Sequence, residues 1–275
     1  MRVTSSLFTA LSAATLATAA RNLNIIAHQD DDLLFLNPSL QHSIQAGDEI
    51  QTVYLTAGDS GLGPDYWTSR QAGALAAYAY MAGVENAWDE EDYGIKGKTI
   101  PKYTLREDDR ISLAFLHIPD GNGDGSGFAA TGNESLEKLW KGAIPVVRTV
   151  DDSGTTYTRD ELIASLARVI DTYAPDAISS LDYIHEFGSG DHSDHTAGGL
   201  FVNEGATKSS FGGSVIAYAG YPIKDLPANV AGQDLEDKKE AFYTYAPYDS
   251  AACASDEGCA GKEYEAWLLR EYRLN

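Results

Sequence analysis

The sequence is poor in positive charge, in sulfur and in long apolar runs. Its 275 residues carry 20 Lys and Arg against 41 Asp and Glu, a formal charge of −21. A surface this acidic repels phosphate backbones and anionic lipid head groups, which argues against nucleic acid and against polybasic membrane docking. With only two cysteines there is no disulfide framework, and Cys253 and Cys259 can make at most one staple. No stretch reaches the ~20 consecutive apolar residues of a membrane span. The segment 265–275 is polar, so no lipid-anchor signal is read there. No internal repeat and no Pro- or Ser-rich linker divides the chain. At 43% hydrophobic residues it can bury a sizeable core, and one domain is expected.

What is present begins with a leader-like segment. Met1 to Ala20 opens with Arg2, runs through Leu7, Phe8, Leu11 and Leu16, and closes on Ala17, Thr18, Ala19, Ala20, an Ala-x-Ala cleavage pattern. This reads as a secretory signal peptide, with residues 21–275 as the exported, extracellular domain. In an oxidising compartment Cys253 and Cys259 are expected to close a small local disulfide. Asn133, Glu134, Ser135 forms a glycosylation sequon, meaningful only in a eukaryotic secretory pathway.

Strand-like and helix-like runs alternate. Leu23 to Ala27 and Glu49 to Thr56 are β-prone, as are Ala177 to Leu181 and Ser214 to Tyr218. Thr68 to Gly83 has an apolar stripe at Leu75, Ala79 and Ala82. Thr158 to Tyr173 opens with a capping-box arrangement, Thr158 and Glu161, before Leu162, Leu166, Val169 and Ile170 at helical spacing. The expected fold class is α/β: a Rossmann-like open, mostly parallel sheet flanked by helices. Ligands of such sheets bind beyond the carboxyl ends of the strands, so chemistry is sought in the loops that follow them.

Two short polar clusters meet that requirement. His28 begins His28, Gln29, Asp30, Asp31, Asp32 directly after the first strand, and Asp191, His192, Ser193, Asp194, His195 follows the third. A catalytic zinc takes three N/O ligands and keeps one position open, which imidazoles from both clusters plus one carboxylate can supply. Taken singly, each cluster also reads as a solvated acidic turn or a pair of loop histidines. The conjunction of two such clusters, each after a strand, favours a metal site.

The first cluster resembles the H-P-D-D-E signature of the PIG-L/LmbE-like zinc de-N-acetylases, and His192 to His195 resembles the H-x-D-H signature of the same family. Thr56 to Asp59, Arg70, and Pro119 to Gly121 resemble further family landmarks in the same order. The resemblance implies that His28, Asp31 and His195 bind Zn²⁺ and that Asp30 is the general base. It implies that His192, protonated and oriented by Asp194, stabilises the oxyanion. Arg70 and Asp120 are the substrate-contact candidates.

Gln29 stands where the family has Pro and Asp32 where it has Glu, and Gly73 occupies a position that is often acidic. The stretch Asp120 to Ser126 also resembles half of a calcium loop, but its twelfth position, Thr131, lacks the required bidentate Glu, so an active-site loop that flexes is the preferred reading. The expectation is a secreted zinc-dependent hydrolase that deacetylates an N-acetylglucosamine-type sugar or glycoconjugate. The alternatives are another amide-cleaving metallohydrolase on this scaffold and a carbohydrate-binding protein without catalysis.

Overall fold

The computed structural model describes residues 19–275, so the expected leader lies outside the described residues except for Ala19 and Ala20. The chain runs β1 (Arg21–Ile26), α1 (Asp31–Phe35), α2 (Ser39–Ala46), β2 (Glu49–Thr56), α3 (Pro64–Ala82), β3 (Trp88–Asp92), β4 (Pro101–Leu105) and β5 (Ile111–Ile118). It continues through α4 (Leu136–Trp140), a two-strand ladder of β6 (Val147–Arg148) and β7 (Thr156–Tyr157), α5 (Arg159–Tyr173), β8 (Ala177–Leu181) and α6 (Ser193–Lys208). The last elements are β9 (Ile216–Tyr218), α7 (Gln233–Tyr245), α8 (Asp256–Cys259) and α9 (Glu263–Leu268).

Seven strands form one sheet in the order β3-β4-β5-β2-β1-β8-β9. The run from β5 to β9 is parallel, and β4 and β3 add an antiparallel edge. The expected α/β architecture is therefore the observed one, with an additional antiparallel edge of β3 and β4. Burial on both faces explains the near-continuous apolar central strands. Tyr54, Leu113 and Phe115 join the core on one face, while Val53, Leu55, Ala114 and Leu116 join the core on the other. This is the period of two that a strand imposes.

Local signals account for the helix ends. Thr158 and Glu161 make the expected reciprocal capping box at α5. Helix α3 begins four residues before the expected Thr68, because Pro64 sits in its first turn, where a missing N–H costs nothing. The fully buried Lys238 of α7 donates to the carbonyls of Leu34, Trp267 and Arg270, tying α1 to the C-terminal segment. That segment carries a Cys253–Cys259 disulfide, as expected.

This topology positions a site. After β1 the chain adds β2 and β5 to one side, then returns to lay β8 on the other side of β1. The carboxyl ends of β1 and β8 therefore flank the point where strand order reverses, where open α/β sheets hold their ligands.

Candidate active site

Each polar cluster leaves the sheet at that point. His28 follows the end of β1 and Asp120 the end of β5, while Asp191 and His192 lie between β8 and α6 and Asp194 and His195 in the first turn of α6. The structure brings the three histidines into one group. The ring centroids of His28 and His192 are 4.6 Å apart, those of His28 and His195 5.3 Å, and those of His192 and His195 5.4 Å. All three rings are buried.

Asp31 lies between two of them. Its Oδ1 is 3.0 Å from His195 Nε2, its Oδ2 is 3.2 Å from His28 Nδ1, and Oδ2 accepts the His28 backbone N–H at 2.6 Å. Burial alone would raise the Asp31 carboxyl, but His195 and His28 outweigh it and hold it well below the usual carboxylate range. The converse holds for the imidazoles. Burial opposes their charge, yet Asp31 with Asp191 raises His195 to about 10, and Asp31 with Asp194 raises His28 well above its ordinary value. This nest of carboxylates draws positive charge into a buried place, which is the electrostatic demand a divalent cation answers.

The donor set fits a metal. One potential ligand atom from each of His28, Asp31 and His195 lies within 4.8 Å of the others, so these N and O donors, of the types zinc takes, converge on one place. A second group, His28, Asp120, His192 and Asp194, meets the same criterion and shares His28. The buried His28 Nε2 and Asp194 Oδ1 have no hydrogen-bond partner. Buried polar atoms are ordinarily paired, so unpaired ones in such a nest mark where a ligand belongs.

Asp191 orients His195. Its Oδ1 lies 2.7 Å from His195 Nδ1 and also accepts the backbone N–H groups of His192 and Tyr221, each at 2.9 Å. Binding Nδ1–H leaves Nε2 free to ligate, the usual carboxylate support of a metal-bound imidazole. Gly220 permits the approach, since a Cβ there would lie 2.5 Å from both Asp191 Oδ1 and His195 Nδ1. Asp191 is not among the site residues expected from the sequence. Its place four residues before His195 was the available signal.

Asp30 departs from the nest toward Arg70. Its Oδ1 accepts from Arg70 Nη2 at 2.8 Å. Arg70 is itself buried, with Nη1 donating to the Gly58 carbonyl at 2.6 Å, Nε donating to the Tyr245 hydroxyl at 2.7 Å, and Asp249 Oδ2 lying 3.0 Å from Nε. Expected as a substrate contact, Arg70 lines the cleft and also clamps Asp30, each of its three nitrogens bonded to the protein. Burial pushes the Asp30 carboxyl up, with Arg70 pulling against it. Tyr245 and Asp249 carry no sequence motif, and Tyr245 stands 175 residues from the arginine it holds.

His192 needs a correction. It is the N-cap of α6, and its Nδ1 accepts the Asp194 backbone N–H at 3.1 Å, so the ring proton is on Nε2. Burial, reinforced by the neighbouring His28, lowers it to about 4, so the imidazole is neutral rather than protonated. Its hydrogen bond runs to the backbone of Asp194, whose carboxylate Oδ2 accepts instead from the Gly121 N–H at 2.7 Å.

Asp120 lies 3.7 Å from His192 Nε2 and accepts from Ser60 Oγ at 3.4 Å. Its loop is tied down rather than loose: Ser193 donates to it through N–H and Oγ at 3.0 and 2.9 Å, and Ser135 Oγ donates to the Gly125 carbonyl at 2.8 Å. Asp124 is exposed while Asp120 is buried against the histidines, so the two do not converge on a calcium site. Asp32 turns away into the core, where its Oδ2 accepts from the hydroxyls of Tyr54 and Tyr78 at 2.8 and 2.6 Å. Gln29 Nε2 donates to the Thr56 carbonyl at 3.2 Å. Asp30, Arg70, Asp120 and His192 line a common cleft with Ser60, Tyr66, Tyr221 and Tyr264.

The family model described as PIG-L, GlcNAc-PI de-N-acetylase, matches residues 23–205, two thirds of the chain and both polar clusters. The chain belongs to this family. No curated protein sequence matches it. Among solved structures, N,N'-diacetylchitobiose deacetylase from Pyrococcus horikoshii is similar at 14% identity over 90% of this chain and 76% of that one, with a TM-score of 0.51, a likeness of fold. GalB, the 4-carboxy-2-hydroxymuconate hydratase from Pseudomonas putida, is 13% identical over 90% and 82% of the two chains with a TM-score of 0.49. Teicoplanin deacetylase Orf2 is 13% identical over 90% of each chain with a TM-score of 0.44. Arg70 and His192 to His195 fall within the PIG-L match, whereas Tyr221, Tyr245, Asp249 and Tyr264 lie beyond it.

Proposed function

We propose that this PIG-L protein is an exported zinc-dependent hydrolase that removes the acetyl group from an N-acetylated amino sugar of the N-acetylglucosamine type. The observation that carries the reading is the placement of Asp30: a buried carboxylate next in sequence to the donor Asp31, held out of the donor group by Arg70 and opening into the cleft. A site for binding alone has no need of such a group. His28, Asp31 and His195 would hold the ion, with Asp191 fixing the His195 ring. When bound, zinc supplies Lewis acidity toward a carbonyl and lowers the pKa of a coordinated water.

Asp30 accepts the proton of the attacking water and returns it to the departing amine, a general base and then a general acid. Its raised pKa suits both halves of that task. His192 contributes as a neutral donor: with Nδ1 occupied by a backbone N–H, Nε2–H is aimed into the cleft, where a donor to a developing oxyanion is typically worth ~3–4 kcal/mol. Asp120 presents a carboxylate beside it for a sugar hydroxyl or for the ion.

Export is supported by the leader-like residues 1–20 and by the Cys253–Cys259 disulfide. No helix among the described residues is long and apolar enough to cross a membrane. With the acidic composition, this favours a neutral soluble sugar or wall polysaccharide over a lipid-embedded one. Acetate release from a panel of N-acetylglucosamine conjugates, with zinc quantified in the same preparation, tests the proposal. Acetate is expected. Bound zinc without acetate from any conjugate points to another amide, and absence of zinc uptake points to a binding protein.

A further inference from the structure

Part of the cleft comes from beyond the PIG-L match. Asp249, Ala251 and Tyr264 line it together with His28, Asp30 and His192. These three residues belong to one strap, residues 249–264, which leads from the end of α7 into α9. The strap has little of its own to hold it. Its helix, α8, is four residues long, far below the ~12–15 at which a helix begins to hold itself in water. The exposed Asp256 meets Lys239 Nζ and accepts from the Tyr243 hydroxyl, each at 2.8 Å, and Glu263 pairs with Lys224. Exposed pairs of this kind contribute little. Among residues 250–263 only Cys253 and Cys259 are buried, and both join the core that contains Phe242, Tyr245 and Trp267. The bonded sulfur pair is therefore the anchor of the strap in the core.

The anchor adjoins the site at both ends. On one side, Asp249 accepts the Ala251 N–H through Oδ1 at 2.9 Å and the Ala252 N–H through its carbonyl at 3.0 Å, a tight turn that runs directly into Cys253. Asp249 meets Arg70 Nε at 3.0 Å, and Arg70 holds Asp30. On the other side, the Cys259 carbonyl accepts the Lys262 N–H at 2.9 Å, and α9 follows with Tyr264. The Tyr264 ring lies 5.2 Å from that of Trp267, which stacks at 4.7 Å on Tyr221, whose N–H donates to Asp191. One end of the strap thus reaches the proposed base, and the other reaches the carboxylate that supports His195.

A disulfide acts mainly by removing open conformations from the chain it fastens. With this one closed, the turn at Asp249 and the start of α9 both have a fixed end. With it open, each adjoins an exposed loop.

We propose that Cys253 and Cys259 are positioning residues of the active site, their disulfide seating the strap so that Asp249 holds Arg70 and, through it, Asp30. The oxidised chain is then the fully active form. The bond closes when the two thiols give up two electrons and two protons to a small-molecule disulfide, such as oxidised glutathione, which leaves as two thiols. The effect on turnover rests on the deacetylase reading, the effect on Arg70 does not, and the test reads both.

The experiment uses the zinc-loaded full chain in four forms: oxidised wild type, wild type reduced with a phosphine until two thiols per chain titrate, Cys253→Ser with Cys259→Ser, and that pair added to Asp249→Asn. Acetate release, bound zinc and the proton–nitrogen NMR signal of Arg70 Nε–H, identified by its absence in Arg70→Lys, are measured on each. In the oxidised wild type this proton is expected to exchange slowly with solvent, being buried against Tyr245 and Asp249. Reduction, or the serine pair, is expected to speed its exchange and to lower kcat by about tenfold or more, the scale of a small misplacement of a reacting group, with zinc retained. In the Asp249→Asn background the serine pair is expected to lower kcat no further, because residues that act through one another are not additive. The backbone amide spectrum of the sheet shows whether each sample is folded, and the reduced wild type decides the question if the serine pair is not. Wild-type kcat with an unchanged Arg70 signal in the reduced chain overturns the proposal. So does an equal loss of kcat in both backgrounds, which makes the staple a general stabiliser. If acetate is released but the Arg70 signal is blind to the bond, the staple fails and the deacetylase reading stands. If no acetate is released yet the signal depends on the bond, the deacetylase reading fails and the staple stands.

Discussion

The Nε of Arg70 lies 3.0 Å from Oδ2 of Asp249, and through this contact the C-terminal segment reaches Asp30, the proposed general base. Asp249 is held in turn by the hydroxyls of Tyr66 and Tyr245, at 2.8 and 2.9 Å. The guanidinium so fixed presents Nη2 to Asp30. Asp249→Asn is therefore expected to lower kcat by about 10²-fold, the usual cost of a small misplacement of a reacting group, while bound zinc is unchanged. Steady-state kinetics with metal analysis of the same samples checks this. A kcat equal to wild type removes Asp249 from the account.

Asp191→Asn leaves the His195 ring without its carboxylate partner. Outer-shell changes of this kind typically weaken metal binding by about 10–100-fold. Competition against a chromophoric zinc chelator reads the affinity directly. An unchanged dissociation constant would mean that His195 is not a ligand or does not depend on Asp191 for its orientation.

The sequence exposed what chemistry writes into adjacent residues and hid what folding brings together. His28, Asp30 and Asp31 follow one strand, and His192, Asp194 and His195 open a helix, so their spacing is local and legible. The parallel core was legible too, from β-prone runs such as Glu49–Thr56 and the capping box at Thr158. The antiparallel edge was missed because Trp88–Asp92 carries four consecutive acids and no apolar alternation. Helix α6 was missed because Gly198, Gly199 and Gly205 lower helix propensity, although each allows close packing, as Gly199 does against the Leu181 carbonyl. The protonation of His192 could not be read, because it depends on burial and on a backbone N–H that caps a helix. The clamp of Arg70 on Asp30 could not be read, because its partners Tyr245 and Asp249 are remote in sequence.

Asp32 gives a pH signature independent of activity. Burial lifts its carboxyl to about 7, against the opposing hydrogen bonds from Tyr78 and Tyr54. An unfolded aspartate titrates near ~3.9, so between about pH 4 and pH 7 the native state holds the extra proton. Stability from this group is complete below that window, falls as pH rises through it, and is level above. In chelator-treated protein, Asp32→Asn is expected to flatten the decline in denaturation midpoint between pH 4 and pH 8. An identical pH slope in both proteins contradicts the assignment.

Removing the metal should also cost stability. A ligand bound only by the native state contributes ~2.7 kcal/mol when its free concentration is 100 times Kd. Chelation is expected to lower Tm, and added zinc to restore it in a concentration-dependent way. Melting curves that superimpose with and without chelator would show that the His and Asp nest binds no ion.

Asp30 carries the central claim, and Asp30→Asn tests it most directly, because the substitution keeps the size of the side chain and removes only its basicity. Acetate release and bound zinc are measured on the same preparation of wild type and variant. The account predicts that zinc is retained at the wild-type level while turnover falls by about 10²–10⁴-fold, the range for loss of a general base. Turnover at the wild-type rate with zinc in place would contradict it.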